Sequence, residues 1–150
     1  MTEISRVTEA DLGELLPLMR AYCDFYEVSP TDDALLALAR ALIADPGCEG
    51  VQLIARSDAQ AVGFATIYWS WATTIAARIG VMNDLYVAPQ ARGRGVADEL
   101  IWACVEECRH HGAAELTWQT ARDNTRAQQV YERLGGERAE WVDYSLSVRP

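Results

Sequence analysis

The chain contains no lysine. Its 13 basic residues are all arginine, set against 22 acids for a formal net charge of −9. Without lysine there is no nucleotide P-loop, whose G-x-x-x-x-G-K-[ST] pattern puts that residue on the terminal phosphates. The shortage of positive charge makes nucleic acid a poor partner, because such binding rests on neutralising phosphates. Nor is there an apolar stretch near the start. Glu3, Arg6, Glu9, Asp11 and Glu14 interrupt the first twenty residues, so no secretory signal is expected. The long uncharged run, residues 59–77, carries Gly63, Thr66, Ser70, Thr73 and Thr74 and reads as a buried strand, not a membrane span. Cys23 and Cys48 lack metal-ligand spacing. Cys104 and Cys108 fall on the apolar face of a helix near His110 and His111, where buried cysteine is normally a small hydrophobe; no metal is expected. Repeats, low-complexity tracts and linkers are missing too. These absences leave one soluble, cytoplasmic domain over residues 1–150, with reduced thiols and no membrane contact, as the expectation.

What is present is concentrated in Q-A-R-G-R-G-V-A at 90–97. An apolar run ends at Leu85-Tyr86-Val87, and an amphipathic pattern begins near Val96. A strand therefore enters a glycine-bearing turn that opens directly into a helix. Glycines at 93 and 95 let the backbone approach a ligand closely, and the helix start offers unpaired N–H groups to an anion. The dinucleotide fingerprint G-x-G-x-x-G/A fails here, because its third position is Asp98.

A second pattern lies downstream, N-x-x-A-x-x-x-Y-x-x-x-G at 124–135. Ala127, Val130, Tyr131 and Leu134 recur at helical spacing, Asp123 or Asn124 suits the N-cap, and Gly135-Gly136 supplies the stop. Q-x-x-G-x-G/A after L-Y-V, followed by this tyrosine helix, resembles the GNAT superfamily of coenzyme A–dependent N-acetyltransferases. The N-D-L-Y-V, W-Q-T and N-x-R-A-Q-x-V-Y segments, with Phe25-Tyr26-Glu27, look like the branch that acetylates polyamines, D-amino acids or histone-type lysines.

The resemblance implies acetyl-CoA as co-substrate and assigns roles residue by residue. The backbone of Leu85, Tyr86 and Val87 would hold the pantetheine arm and polarise the thioester. Amides of Arg92, Gly93, Arg94, Gly95, Val96 and Ala97, with the Gln90 side chain, would hold the pyrophosphate. Asn124 matches a cofactor-contacting asparagine, and Tyr131 matches the general acid that protonates the departing thiolate. Tyr26, Glu27 and Asn83 fall where the amine acceptor binds. The polyamine branch often has a glutamate where this chain has Asn83, which cannot ionise. Asp84 is then the candidate base, acting through water, although strand alternation aims it at the face opposite Asn83. Acids crowd the first 33 residues and would form an acidic rim drawing a cationic amine, or simply a solvated surface. Trp69, Trp71, Trp118 and Trp141 read chiefly as packing residues.

Periodicity and turn signals give the order β-α-α-β-β-β-α-β-α-β, a mixed α/β sheet. Strands are expected at 3–7, 51–56, 61–71, 79–87, 116–120 and 141–148. The first helix should use Leu12, Leu15, Leu16, Met19 and Tyr26 inward and kink at Pro17; the second covers 31–44, with Leu35, Leu38, Ala39 and Leu42 inward. Three functions compete: acetyl transfer to a small primary amine (polyamine, diamine or amino acid), acetylation of protein lysines or N-termini, and a non-catalytic acyl-CoA-binding module. Dimerisation is common among relatives of this kind, which makes a homodimer one expected assembly.

Overall fold

Turn chemistry and apolar periodicity together set the elements of the computed structural model, which describes residues 1–150. The chain divides into two compact units, Met1–Gln119 and Thr120–Pro150. In the first, β1 (Thr2–Arg6) leads through a 3-10 turn into α1 (Leu12–Phe25) and α2 (Asp32–Ala44). Then follow β2 (Gly50–Ser57), β3 (Gln60–Ala72), β4 (Ala77–Val87), α3 (Val96–His111) and β5 (Glu115–Thr117). The sheet order is β1-β2-β3-β4-β5. All pairs are antiparallel except β4 with β5, the parallel pair that a helical crossover through α3 requires.

Local chemistry explains the joints. Asp58 (φ 51) and Ala59 (φ 64) form the two-residue β2–β3 turn, whose paired positive φ values match the twist of a hairpin. Thr31 caps α2 by accepting from the Ala34 amide at 3.1 Å, and Gly112 (φ 78) ends α3. Pro17 lies inside α1 without dividing it.

α1 and α2 cover one face of the sheet, where Leu15, Leu18, Met19, Leu35, Ala39, Ile54 and Phe64 share a core. The apolar stripe of α1 is shifted from expectation. Leu18 and Cys23 are buried, Leu16 is only partly so, and Tyr26 is exposed. Likewise Leu38 of α2 is at the surface. α3 takes the other face. There a Cβ at Gly80 would come within 2.5 Å of Cys108 Sγ, so the missing side chain is what lets this helix approach β4. Trp69 is core here: its ring stacks on His111 at 3.8 Å and its Nε1 donates to the Pro46 carbonyl at 2.8 Å.

The sheet has one consequential irregularity. Thr66 pairs with Asp84, but Ile67 pairs with Met82, so Asn83 is an extra residue on β4. Such a bulge breaks the strict alternation of side chains. Met82 shares the α3 face with Ile67, whereas Asp84 joins Thr66 and Tyr86 beneath α1.

The second unit contains α4 (Thr125–Arg133), with Asn124 at its N-cap and Gly135 (φ 93) beyond its end. The expected strand at 141–148 is not formed, so the order closes on α4. Alternating Val142, Tyr144, Leu146 and Val148 supply a strand's face. Pairing is what makes a strand, since backbone groups need a neighbour, and these side chains are exposed. β5 is also shorter than 116–120 and half-buried.

Candidate active site

The bend after β4 has the construction an anion needs. Gly93 and Gly95 have φ of 75° and 84°, and a Cβ at either would meet nothing within 4 Å. Backbone conformation, not crowding, requires glycine there, and the space in front of the chain is open. Gly95 is the N-cap of α3, and the helical ladder begins with the Glu99 amide donating to Gly95 at 3.0 Å. The amides of Val96 and Ala97 precede that ladder, at the positive end of the helix dipole. The Arg92 amide instead donates to the Pro89 carbonyl at 3.3 Å. Gly93 through Ala97 are therefore the stretch of this bend whose main-chain amides lie outside the turn and the helical ladder. Arg92 is anchored: its Nε donates to the Val87 carbonyl at 2.8 Å, and its guanidinium lies 5.8 Å from the centre of the Tyr86 ring. Gln90 and Arg94 are exposed on the same bend.

The strand leading in is open on one side. β5 pairs with β4 only from Ile79 to Val81, leaving Met82–Val87 with β3 as its single strand partner. The Ala88 amide donates to the Val62 carbonyl, so alternation turns the Tyr86 peptide groups toward β3 and those of Leu85 and Val87 toward the uncovered edge. With the Val87 carbonyl taken by Arg92, Leu85 and the Val87 amide remain as the edge's hydrogen-bonding groups.

Beneath α1 the same strand carries a buried polar cluster. Asp84 is 8% exposed. Its carboxylate accepts from the Asn83 Nδ2 at 2.9 Å, with the hydroxyls of Thr66 and Tyr22 as its other polar neighbours. Burial pushes its pKa above the usual aspartate range, and those three neutral polar neighbours only partly counter the shift. The Tyr22 hydroxyl, with one proton to give, donates to the Asn83 carbonyl at 3.2 Å, and its ring packs 5.0 Å from Tyr26 and 5.9 Å from Phe64. Burial, then the Asp84 charge, raise the phenol of Tyr22 and push that of Tyr68 up to about 12.

Two expected acceptor-side residues, Tyr26 and Asn83, and the candidate base Asp84 are thus gathered around Tyr22. Glu27 sits in the left-handed turn that closes α1 (φ 57). The sequence reading passed over Tyr22, Thr66, Tyr68 and Gln52. Tyr22 was accessible: it is four residues before Tyr26, hence on one helix face. In the second unit Asn124 Oδ1 accepts from the Ala127 amide at 3.2 Å, leaving its NH₂ as the donor end, and Tyr131 is two turns further along that face of α4.

Known proteins align with this chain over its length. The family model described as Acetyltransferase (GNAT) family matches residues 15–136. An uncharacterized N-acetyltransferase of Bacillus subtilis (strain 168), YhfO, is 31% identical over 146 residues, covering 97% of this chain and 97% of its own length. Thialysine N-epsilon-acetyltransferase of Mus musculus is 24% identical over 163 residues, covering 99% of this chain and 91% of its own. Among solved structures, AAC(6')-Iy in complex with the bisubstrate analog CoA-S-monomethyl-acetylneamine superposes with a TM-score of 0.87 at 25% identity, covering 98% of each chain.

Proposed function

The chain belongs to the acetyltransferase (GNAT) family, an N-acetyltransferase using acetyl-CoA, and from that premise we propose that its acceptor is the primary amine of a small cationic molecule. The coenzyme supplies an acetyl thioester. Gly93 to Ala97 would hold its diphosphate through main-chain amides, aided by Gln90, Arg92, Arg94 and Asn124. The Leu85 peptide and the Val87 amide would hold the pantetheine arm along the open edge of β4.

One observation carries the acceptor side: Asp84 is a buried carboxylate faced by neutral donors and no cation. An alkylamine has a pKa near 10 and must lose a proton before it attacks, so a base of raised pKa beside the acceptor is needed. Asp84 takes that proton through water, Tyr22, Tyr26 and Asn83 line the approach, and Glu27 adds negative charge at its mouth. As the nitrogen–carbon bond forms and the carbon–sulfur bond breaks, the Tyr131 phenol gives its proton to the sulfur. Thialysine and acetylneamine in the names of two relatives support an amine of this kind. The family model's match, residues 15–136, takes in parts of both units, which supports reading the chain as one catalytic domain. A cytoplasmic location belongs to this proposal, and the four free cysteines suit a reducing compartment. No helix is long and apolar enough to cross a membrane.

The test is thiol release from acetyl-CoA with a panel of thialysine, neamine, spermidine, lysine and a lysine-containing peptide. Small amines should be turned over and the peptide should not; preference for the peptide overturns the acceptor assignment. Tyr131→Phe should cut turnover by about 10²-fold or more with unchanged affinity for CoA, and full activity in that variant removes the acid.

A further inference from the structure

Gln52 is 3% exposed on β2, directly across from Thr66 on β3. Its Nε2 lies 3.1 Å from Thr66 Oγ1 and 3.9 Å from Met19 Sδ. Thr66 is fully buried and is the direct cross-strand partner of Asp84, on the same face of the sheet. A threonine hydroxyl has one proton to donate. When it accepts from the Gln52 amide, that proton is left for Asp84.

We propose that Gln52 and Thr66 are positioning residues for Asp84: a directed relay, Gln52 N–H to Thr66 oxygen and Thr66 O–H to carboxylate, holds the base in one orientation and favours its ionised form. The inference rests on Asp84 being the base. Its polarity follows from chemistry. Reversing the Gln52 amide would make Thr66 donate to Gln52 and withdraw the proton from Asp84.

Two features separate this from ordinary packing. The Oε1 of Gln52 is buried with no hydrogen-bond partner, and a buried unsatisfied acceptor is destabilising. Met19, 3.9 Å from the amide, and Ile54 and Phe64 on the same sheet face make an apolar setting in which methionine would fit a similar volume, so the amide is kept at a cost to stability. In addition, the groups facing Asp84 from the packed elements are Tyr22 and Cys23 on α1, Thr66 and Tyr68 on β3, and Asn83 beside it. None is cationic, so the ionised form depends on neutral donors, and the relay fixes the most deeply buried of them.

The experiment combines two readouts on the whole protein: the Asp84 carboxyl titration by carbon NMR, assigned by its loss in Asp84→Asn, and the pH profile of kcat/KM with the best amine of the panel. Thr66→Val should raise the Asp84 pKa and move the acid limb of the profile upward by about one unit, a tenfold loss on that limb, with affinity for CoA unchanged. Thr66→Ser should restore both. Gln52→Met should keep or raise thermal stability while shifting both readouts the same way. Gln52→Glu, which can only accept from Thr66 when ionised, should shift them further. An unchanged Asp84 titration in Thr66→Val and Gln52→Met overturns the relay. A shifted titration with an unmoved rate profile leaves the relay standing and removes Asp84 as the base.

Discussion

α1 rests on a carboxylate at each end, and the two are treated in opposite ways. At the N-terminal end Asp11 accepts from the Thr8 amide at 2.7 Å and hydroxyl at 2.8 Å, and from Arg56 Nη2 at 2.6 Å. The Thr8 amide first, then the hydroxyl and guanidinium, hold its pKa below the usual range despite partial burial. At the C-terminal end Asp84 is more deeply enclosed, accepts from Asn83 beside the neutral Thr66 and Tyr22 hydroxyls, and has its pKa raised above the usual range by burial. A carboxylate that caps a helix turn and faces an arginine stays ionised and stabilises the fold. A carboxylate buried among neutral donors is held close to the point of accepting a proton, which destabilises its charged form and suits a base.

The largest expected effect tests the destabilised end. Asp84→Asn should lower kcat/KM by about 10²–10⁴-fold, the range of a lost general base. The same variant should be more stable than wild type near neutrality. The sign follows from the raised pKa. Between the unfolded value, about 4, and the higher native one, the folded state binds more protons, so stability falls as pH rises through that window and the loss persists above it. Asparagine removes that fall, and urea midpoints should diverge above the window and agree below it. A variant both inactive and less stable at neutral pH would mark Asp84 as a structural group.

Why one end could be read in the sequence and the other could not is a matter of local against cross-strand information. Thr8 and Asp11 announce themselves by spacing, as do the caps Thr31, Asn124 and Gly112 and the glycines of the cradle, because each acts on backbone within a turn. Asp84 was visible as a residue type, but its direction was not. Strict alternation sets it opposite Asn83, whereas the extra residue in β4 lets Asn83 reach its carboxylate on the α1 side. A bulge is a property of pairing, here of Thr66 with Asp84 and Ile67 with Met82, and nothing in N-D-L-Y-V marks it. Gln52 and Thr66 are hidden for the same reason: in apolar strands a lone polar residue looks like an edge position until its partner is known. The slip from Leu16 and Tyr26 to Leu18 and Cys23 on α1 reflects apolar residues so dense that several stripes fit. At 141–148 the pattern predicted a face, and no pairing strand exists to use it.

A smaller effect is expected at the stabilised end. Asp11→Ala removes the acceptor for the Thr8 amide and one of the two carboxylates on Arg56, and should cost about 1–2 kcal/mol by urea unfolding while leaving turnover unchanged. Its pH dependence runs opposite to that of Asp84. A lowered native pKa contributes stability that is present above about pH 4 and lost as pH falls through the native value, so wild type and variant converge in acid. If Asp11→Ala cut turnover as deeply as Asp84→Asn, the division of labour between the two ends would fail.

Glu14 sharpens the comparison at its weakest point. It is the second carboxylate on Arg56, at 2.9 Å, yet its side chain is 46% exposed against 17% for Asp11. Exposed pairs are screened by water and gain little beyond the entropy of ordering both chains. Glu14→Gln keeps an oxygen that can accept from Arg56 and leaves Asp11 in place, so it should change stability by less than about 0.5 kcal/mol, with no effect on turnover. A double-mutant cycle with Arg56→Met measures the pair directly. A coupling for Glu14 as large as that for Asp11 would mean that charge pairing, rather than capping of the turn at Thr8, governs the stabilised end of α1.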